Sequence, residues 1–465
     1  MLDRRHFLIA GGLVPVGFLG LRHLMSDRPL YKDADLVDPG YGPLQRDPRG
    51  ILDLPEGFRY RIVSWAGQTM SDGLFLPGAP DGMAAFPGPD GLAVVIRNHE
   101  LTAQSDRGPF GRDNRRLELL DRGKVYDFGE GKTPSCGGTS TFLFDPGRQE
   151  IVSQFLSLAG TMRNCAGGAT PWNSWISCEE TVRTAGRDEE AGIWADQDHG
   201  YNFEVPATTR MEVVDPVPLR AMGRFNHEAV AVAEETGIVY QTEDRGDGLL
   251  YRFLPKSPGK LQAGGRLQVL KIRDRSSADT RNWNLWRTIP VGEPAAVEWI
   301  DIDEPEPQED NLRYRGYEAG AARFARGEGM WYGNETVYFA CTNGGYRRNG
   351  QIWKYRPSPA EGTPEELQAP GTLELFIEPD DVDLLKSADN LTLSPWGDLV
   401  LCEDRSTEVV RLIGVTPEGR CYVLANNRLR TEFAGAVFTP DGSTLLVNIQ
   451  QKGLTVAITG PWSRA

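Results

Sequence analysis

The sequence is poor in the residues that build disulfide-rich or zinc-bound folds. It has 6 cysteines and 5 histidines among 465 residues, and no two cysteines form a C-x-x-C pair. Zinc-finger spacing is therefore absent, and so few cysteines cannot form a disulfide framework in a chain of this length. We expect most of them to be buried strand residues, as Cys402 in the run 399–402 and Cys341 in the run 338–341 indicate.

An excess of positive charge is also missing. Lys and Arg number 50 against 65 Asp and Glu, which gives a formal net charge of −15. A general nucleic-acid binder needs a basic face that neutralises phosphates, so we expect no nucleic acid as a partner. Any anionic ligand must be held by local cations. Hydrophobic residues make up 40% of the chain, which is enough for a large packed core.

Long apolar runs are absent except near the N-terminus. Residues 8–21 form one such run, which Pro15 interrupts, and it is too short to cross a bilayer comfortably. Arg4 and Arg5 precede it, and paired arginines before a moderately hydrophobic, glycine-rich segment are typical of a twin-arginine export signal. We therefore predict a signal peptide over residues 1–30, a periplasmic or secreted location, and no stable membrane span after export. A frayed N-terminal helix is the alternative.

Helical periodicity is scarce beyond this segment, whereas short β-branched and aromatic runs recur, bounded by Gly, Pro, Asn and Asp. This is an all-β pattern. Six of the runs lead into polar residues, and they are 93–96, 174–177, 238–241, 337–340, 399–402 and 445–447. A partner strand precedes five of these runs and begins at a polar residue. This residue lies 14 to 16 positions before the polar residue at the end of the run, as Glu228 does before Glu243. A turn signal lies midway, so each unit predicts a hairpin.

Repeated hairpins of constant length predict a ring. A lone four-stranded sheet cannot bury both faces, and packing such sheets radially covers them without long exposed edges. We therefore predict an all-β fold, a six-bladed β-propeller over residues 31–465 with loop and short helical insertions, whose polar ends converge on one axis. The expected insertions are 183–222, 255–325 and 357–385, and the acidic run 301–310 is expected to be a solvated loop. Because propellers need no partner to cover strand edges, we expect a monomer.

The polar ends of the hairpins are nearly all carboxylates. They are Asn98, His99, Glu100, Cys165, Glu179, Glu180, His227, Glu228, Glu243, Asp244, Glu328, Asp389, Asn390, Glu403, Asp404 and Glu432. Packing several acids together costs many kcal/mol unless cations lie among them or most of the acids are protonated. Oxygen donors suit Ca²⁺, whereas a thiolate among carboxylates suits a transition ion such as iron. The pattern predicts a mixed-metal cluster, with the two histidines hydrogen-bonded behind it.

Seven short motifs occur in order between about residue 50 and the C-terminus. They are RNHE (97–100), GTMRNCAGG (160–168), TPW (170–172), CEET (178–181), NHEA (226–229), RGEG (326–329) and ADN (388–390). Together they resemble the PhoX-type alkaline phosphatases. The resemblance implies a six-bladed propeller whose axis holds two ferric (Fe³⁺) and three calcium (Ca²⁺) ions, bridged in part by an oxo group, with a cysteine thiolate among the iron ligands.

The same resemblance implies a role for individual residues. The iron-side ligands would be Cys165, Glu228, Glu328 and Asp389. The calcium-side ligands would be Asn98, Glu100, Glu179 or Glu180, and Glu432. The implied chemistry is hydrolysis of small-molecule phosphate monoesters without a side-chain nucleophile.

Phosphate binding requires a cation beside the metal ligands. Arg326 lies two residues before Glu328 and can fork onto phosphate oxygens, with Arg163, Arg245 and Arg405 as further candidates. The predicted catalytic residues are Arg326, Cys165, Glu228 and Glu328.

Two other interpretations stay open at this point. A phosphodiesterase or a calcium-dependent lactonase could use the same axial carboxylates, because a fold alone does not choose a reaction. A non-catalytic propeller could instead bind calcium for rigidity and use its outer loops to bind a partner. Comparing the turnover of phosphate monoesters with that of diesters and lactones distinguishes a monoesterase from a phosphodiesterase or a lactonase. Bound iron would distinguish a catalytic protein from a propeller that binds calcium for rigidity.

Overall fold

The computed structural model describes residues 36–188, 192–405 and 407–462. The predicted signal segment, 1–30, lies outside these residues. Regular structure in the described part of the chain consists almost entirely of strands, with one short α-helix, α1 (Leu312–Glu318). None of its helices has the length and apolar character that a membrane span requires. The protein is all-β, as the sequence predicts.

Apart from the longer segments 100–136 and 273–294, short connections join most of the strands. Those of the first half are β1 (Leu44–Gln45), β2 (Leu52–Pro55), β3 (Arg59–Trp65), β4 (Pro80–Pro87), β5 (Ala93–His99), β6 (Gly137–Asp145), β7 (Glu150–Thr161), β8 (Asn164–Ala169), β9 (Ser174–Glu179), β10 (Gly186–Asp188), β11 (Ile193–Ala195), β12 (Asn202–Pro206), β13 (His227–Val232), β14 (Val239–Glu243) and β15 (Gly248–Pro255). Those of the second half are β16 (Gly265–Ile272), β17 (Ala295–Asp301), β18 (Arg323–Phe324), β19 (Gly327–Gly333), β20 (Thr336–Cys341), β21 (Gln351–Arg356), β22 (Thr372–Ile377), β23 (Ala388–Leu393), β24 (Leu399–Glu403), β25 (Val410–Val415), β26 (Cys421–Asn427), β27 (Phe433–Phe438), β28 (Thr444–Ile449) and β29 (Leu454–Thr459).

Sequential antiparallel pairing of these strands gives a propeller-like arrangement. The sheets are β4-β5-β6-β7, β12-β9-β8, β27-β28-β29-β3, β1-β2-β26-β25-β24-β23, the small β10-β11 pair, and a ten-stranded sheet β13-β14-β15-β16-β17-β22-β21-β20-β19 with β18 attached to β15. A two-residue ladder between β17 and β22 joins two groups of strands into the ten-stranded sheet. The sheets therefore do not separate into six equal blades.

The hairpins predicted from the sequence all form. They are β4–β5, β8–β9, β13–β14, β19–β20, β23–β24 and β27–β28. The turn between β23 and β24 illustrates the local cause. Gly397 has φ +94°, in the left-handed region that glycine tolerates, and the Ser394 N–H donates to the Asp398 carbonyl at 2.7 Å. Such turns fix the register that brings the polar ends of each pair together.

The first and last parts of the described chain meet in one sheet, because β3 pairs with β29. Arg97 of β5 is fully buried beside this junction and donates to Ser64 Oγ at 2.8 Å, to Thr455 Oγ1 and to Ser140 Oγ. Burial lowers the pKa of Arg97 to about 9. Its hydroxyl acceptors tie β3, β29 and β6 to β5 and stabilise the closure.

The segments predicted as insertions contain regular strands instead. Segment 183–222 includes β12, which pairs with β9, while 255–325 includes β16 and 357–385 includes β22. These outer strands carry no polar end, so an alignment based on polar ends misses them. The acidic run 301–310 is exposed or half-buried throughout, as predicted. All six cysteines are free and buried, and five of them lie in strands, which confirms the expectation for most of them; Cys136 immediately precedes β6.

Candidate metal and phosphate site

A β-bulge interrupts each of the six innermost strands at the same place. These strands, β4, β8, β13, β19, β23 and β27, contact one another in that order, and β27 contacts β4. The register shifts lie between Pro80 and Met83 in β4 and at the equivalent positions of the other five. A bulge leaves residues without a cross-strand partner and re-aims their side chains. The first unpaired residue is, in chain order, Asp81, Cys165, Glu228, Glu328, Asp389 and Gly435.

The first five of these, here called the bulge residues, converge with two further glutamates. Ligand atoms lie within 4.8 Å of one another in each of three groups, which are Asp81/Glu100/Cys165, Cys165/Glu180/Glu228 and Glu228/Glu328/Asp389. Cys165 and Glu228 each belong to two groups, so the three form one continuous cluster. Six residues predicted from the sequence are thereby brought together.

Glu100 and Glu180 reach the cluster from a second set of positions. Each follows directly the second strand of its hairpin, Glu100 after β5 and Glu180 after β9, and Asp244 and Asp404 occupy the same place after β14 and β24. At the corresponding place after β28, Gln450 Nε2 donates to Asp81 Oδ2 at 2.7 Å and to Glu100 Oε2 at 2.9 Å. The site thus draws on both strands of each hairpin.

Two arginines are paired with these acids. Arg163 contacts Glu100 at 2.8 Å and also pairs with Glu180. Arg326 forks onto Asp244 with two 2.7 Å hydrogen bonds and lies 2.8 Å from Glu328. Both arginines lie two residues before a bulge residue and have left-handed backbones, with φ +49° and +55°. Such backbone angles are costly outside glycine and are concentrated at functional sites.

The electrostatics of the cluster favour bound cations. Burial, followed by the neighbouring carboxylates, raises the pKa of Asp81, Glu228 and Glu328 well above its ordinary value. The same causes raise the pKa of the Cys165 thiol, whose Sγ lies 2.9 Å from Glu180 Oε2. Asp81 Oδ1 is buried and has no hydrogen-bond donor. A thiol, several carboxylates and an unpartnered buried oxygen form a donor set that fits multivalent metal ions.

Asn98 lies outside the three groups. Its Nδ2 donates to the carbonyls of Ala166 at 2.6 Å and Cys165 at 3.2 Å. Its Oδ1 accepts from Trp175 Nε1 at 2.8 Å and from Ser177 Oγ at 2.9 Å. The amide is saturated and holds the segment that carries Cys165 against β9.

Glu179 also lies outside the groups, although its neighbour Glu180 lies within them. Its Oε1 accepts from Met162 N at 2.9 Å and from His199 Nδ1 at 2.7 Å, and its Oε2 accepts from the N–H groups of Gly200 and Tyr201. Successive residues of a strand point to opposite sides, which explains the separation. Glu179 anchors the backbone around the cluster.

Glu432 lies beside the cluster rather than in it. Burial and a hydrogen bond with the Asp404 carboxyl raise the pKa of Glu432, and the charges of Asp389 and Asp81 act in the same direction. This pair of carboxyls therefore extends the acidic region beyond the three groups. His99 and His227 also lie outside them, bonded to Gly78 O and Gly223 O respectively.

Sequence reasoning missed Asp81 because the connection from β4 to β5 departs from the spacing of the other hairpins. A different signal was available, namely an acid followed by a small residue, as in Asp81-Gly82 and Glu328-Gly329. A Cβ on Gly82 would lie 2.7 Å from Ala166 Cα, and one on Gly329 would lie 2.6 Å from the Asp389 carbonyl. The small residue is required because neighbouring inner strands approach closely at the bulges.

The family model described as "Alkaline phosphatase PhoX" matches residues 39–141 and 136–453. The chain belongs to the PhoX alkaline phosphatase family. It is accordingly a phosphoric ester hydrolase of the alkaline phosphatase type. The PhoX of Pseudomonas fluorescens, solved in complex with vanadate as a transition-state analogue, is similar in fold, with a TM-score of 0.66 at 19% identity. The match covers 90% of this chain and 97% of that one.

Two structures of other enzymes match less well. A gluconolactonase from Xanthomonas campestris has a TM-score of 0.39 at 13% identity over 90% of this chain and 98% of its own. A putative 6-phosphogluconolactonase from Bacteroides uniformis has a TM-score of 0.38 at 13% identity over 86% and 92%. No curated protein matches the sequence.

Proposed function

We propose that the protein is an exported phosphatase that hydrolyses small-molecule phosphate monoesters at an axial iron and calcium cluster. The observation that carries the proposal is that Cys165 and the acidic bulge residues converge. Their three ligand groups form one cluster because Cys165 and Glu228 each belong to two of the groups. Arg163 and Arg326 are too few to neutralise it. Bound multivalent cations explain how these acids coexist.

The proposed scaffold is a six-bladed propeller over residues 31–465. Its support is the ring of six inner strands, each with a bulge at the same position and each followed by its hairpin partner. In this view the β17–β22 ladder is a local bridge between two blades. We propose that the protein acts as a monomer.

In the proposed site, Cys165, Glu228, Glu328 and Asp389 hold iron, while Glu100, Glu180 and Asp81 hold calcium. Asn98 and Glu179 support the cluster through their hydrogen bonds, and Glu432 would act with Asp404 at its edge. When bound, such ions offset the charge of phosphoryl oxygens and lower the pKa of water.

The chain's own contribution to phosphate binding is a pair of arginines. Arg326 uses Nε and Nη2 for Asp244 and Glu328, and Arg163 uses Nε and Nη2 for Glu180 and Glu100. These contacts orient each guanidinium and leave Nη1 for a phosphate oxygen. Both side chains are partly exposed, 36% for Arg326 and 40% for Arg163, so a substrate can reach them. Arg245 is held by Asp310 instead.

The decisive experiment replaces Cys165 by Ser in protein purified without chelator. We expect iron content and p-nitrophenyl phosphate turnover to fall together, because a hydroxyl is a poor substitute for a thiolate ligand. Cys421→Ser, on β26, is the matched control and should keep both. Full iron and full turnover in Cys165→Ser would contradict the thiolate assignment. Slower turnover of bis-p-nitrophenyl phosphate by the unchanged protein is expected for a monoesterase.

The proposed export is tested separately, since it depends on residues 1–30. Replacing Arg4 and Arg5 by lysine should retain the protein in the cytoplasm, as twin-arginine signals require the pair. Periplasmic recovery of the substituted protein would contradict this route.

A further inference from the structure

A group of cations without acidic partners lies next to the candidate site. Arg347, Arg348 and Lys386, here called the rim cations, have no carboxylate within ion-pair distance among the described residues, although the chain carries a net charge of −15. Several acids of the surrounding loops are engaged by other arginines: Asp279 by Arg281 and Arg323, Glu378 by Arg287, and Glu403 by Arg411. Asp381 and Asp383, on the loop that carries Lys386, are exposed to solvent and form no ion pair within the described part of the chain. The rim cations therefore keep their charge available.

Arg348 is held in place by an aromatic platform. Its guanidinium carbon lies 3.9 Å from the centre of the Trp283 ring, and that of Arg281 lies 4.0 Å from the same ring. Arg281 is fixed by a fork onto Asp279 at 2.7 and 2.8 Å, and Trp283 Nε1 donates to the Asn343 carbonyl at 2.8 Å. A guanidinium that rests on an aromatic ring keeps its in-plane N–H donors free.

Backbone contacts connect this platform to the phosphate site. Asn343 follows Thr342, whose N–H donates to the Arg326 carbonyl at 3.1 Å. On the other side, Lys386 Nζ donates to the Arg348 carbonyl, and the Ser387 N–H donates to the Asn349 carbonyl at 2.8 Å. Ser387 precedes the bulge residue Asp389 by two positions. Arg347 and Arg348 thus lie on the loop after β20, which is hydrogen-bonded to the backbone of Arg326, and Lys386 lies on the loop that leads to Asp389.

Lys386 and Arg405 add to the positive field at this rim. Burial lowers the pKa of Lys386, and the nearby Arg405 charge lowers it further, while the Glu403 charge acts in the opposite direction. Arg405 and Arg411 both form ion pairs with Glu403, and Arg405 Nη1 lies 3.5 Å from Glu403 Oε2. Asp404 is the acid on this loop that no arginine neutralises, and it is bonded to Glu432. Like charges held this close indicate a place where an anion would be stabilised.

We propose that the rim cations form a second anion subsite, which binds a phosphoryl group on the leaving-group side of the substrate. The proposal rests on the proposed phosphatase function and adds a substrate class, namely phosphate esters or anhydrides that carry a second phosphoryl group. Arg348 binds that group with its forked donors, Trp283 orients Arg348, and Lys386 adds charge. The subsite lowers KM for such substrates and leaves the chemical step to the axial cluster.

The test compares Arg348→Gln with the unchanged holoenzyme on three substrates: p-nitrophenyl phosphate, fructose 1,6-bisphosphate and ATP. We expect KM for a doubly phosphorylated substrate to rise about tenfold, the equivalent of one charged hydrogen bond. The kcat values, KM for p-nitrophenyl phosphate and inhibition by inorganic phosphate should be unchanged. Trp283→Leu should reproduce the same pattern more weakly, and Arg348→Lys should lie between wild type and Arg348→Gln.

The controls separate the possible failures. Arg266→Gln, on the outer strand β16, removes the same charge at an exposed position and should change none of these constants. An equal change for all three substrates, or no change for any, would overturn the subsite. A KM effect confined to fructose 1,6-bisphosphate would assign it to bisphosphate esters, and one confined to ATP to anhydrides. No hydrolysis of p-nitrophenyl phosphate by the unchanged protein would instead contradict the proposed function.

Discussion

Two sets of buried acids in this protein differ in the number of donors around them. The strand-end glutamates, Glu179, Glu243 and Glu403, are the last residues of β9, β14 and β24. Glu179 and Glu403 accept hydrogen bonds at both carboxylate oxygens, as Glu403 does from Lys386 N at 2.8 Å and from Arg411 Nη2 at 2.6 Å. Glu243 accepts two hydrogen bonds at Oε2, and its Oε1 faces Arg313 Nη1 at 3.6 Å. The acidic bulge residues lie close by and have few donors, while Asp81 Oδ1 has none. Burial is common to both sets, so the supply of donors distinguishes a structural acid from a candidate metal ligand.

Glu228→Gln should give the largest effect on the bulge set. We expect kcat/KM for p-nitrophenyl phosphate to fall by about a hundredfold or more and bound metal to fall with it, because Glu228 belongs to two of the three ligand groups. With chelator present, the same variant should be as stable as wild type or more so, since it removes one of several repelling charges. Metal analysis and urea unfolding provide the measurements. Normal metal content in Glu228→Gln would place the ions elsewhere.

Glu179→Gln should lower stability rather than metal content. Removing this charge leaves His199 with Asp127 as its one remaining carboxylate partner among the described residues and takes the anion from the N–H groups of residues 162 and 200–201. Breaking such a buried pair costs about 3–5 kcal/mol. The free energy of unfolding measured with chelator should fall by that amount. Glu180→Gln, one residue later, is the matched comparison and should mainly lower metal content. Equal losses of stability in the two variants would remove the distinction between the sets.

The pH dependence of stability should come partly from the strand-end set. Burial lowers the pKa of His199, but Glu179 and Asp127 outweigh it and raise this pKa to about 9. A pKa above the unfolded value means that the stabilisation is complete below about pH 6.5 and is lost as pH rises to about 9, by roughly 3 kcal/mol. Urea unfolding across pH 6 to 9 tests it, and His199→Gln should flatten this part of the curve. An unchanged slope in that variant would exclude His199 as the source.

His227 is the natural control for this titration. It is equally buried, but no carboxylate of the described residues pairs with it, and burial lowers its pKa to about 3. It stays neutral over the same pH range, so it should contribute nothing to the slope above pH 6.

The smallest expected effect concerns the close packing of the bulges. Gly329→Ala places a Cβ 2.6 Å from the Asp389 carbonyl, and such overpacking costs about 1–3 kcal/mol. Gly123→Ala meets no atom within 4 Å and should change stability by less than about 0.5 kcal/mol. Thermal unfolding of the two variants measures the difference. A neutral Gly329→Ala would show that the inner strands can separate at the bulge.

The sequence predicts the hairpins well because turn residues and alternating polar ends are local signals. It groups Cys165, Glu228 and Glu328, which the structure also brings together, for the same reason, since each is the second residue of the first strand of a regular hairpin. It cannot resolve Glu179 from Glu180, because strand alternation separates neighbours only when the exact register is known. The decisive displacement comes from the bulges, which leave no mark in hydrophobic periodicity.

Long-range features were beyond local reasoning. The pairing of β3 with β29 joins residues that are far apart in sequence, and no local pattern indicates it. The outer strands β12, β16 and β22 lie in polar segments that resemble loops. Asp81 was missed because a longer β4–β5 connection breaks the spacing that identified the other five inner strands.

The pairing of β3 with β29 also has a consequence for the order of events in the cell. One sheet combines the early strand β3 with β29, almost 400 residues later, so this sheet is incomplete until residues 454–459 have left the ribosome. Asp81 and Gly435 meet across the same junction, where a Cβ on Gly435 would lie 2.1 Å from the Asp81 carbonyl. The inner strand β27 and its neighbour β28 are therefore the last part of the ring to be synthesised, and the ring of inner strands closes around the acidic cluster only when β27 packs against β4.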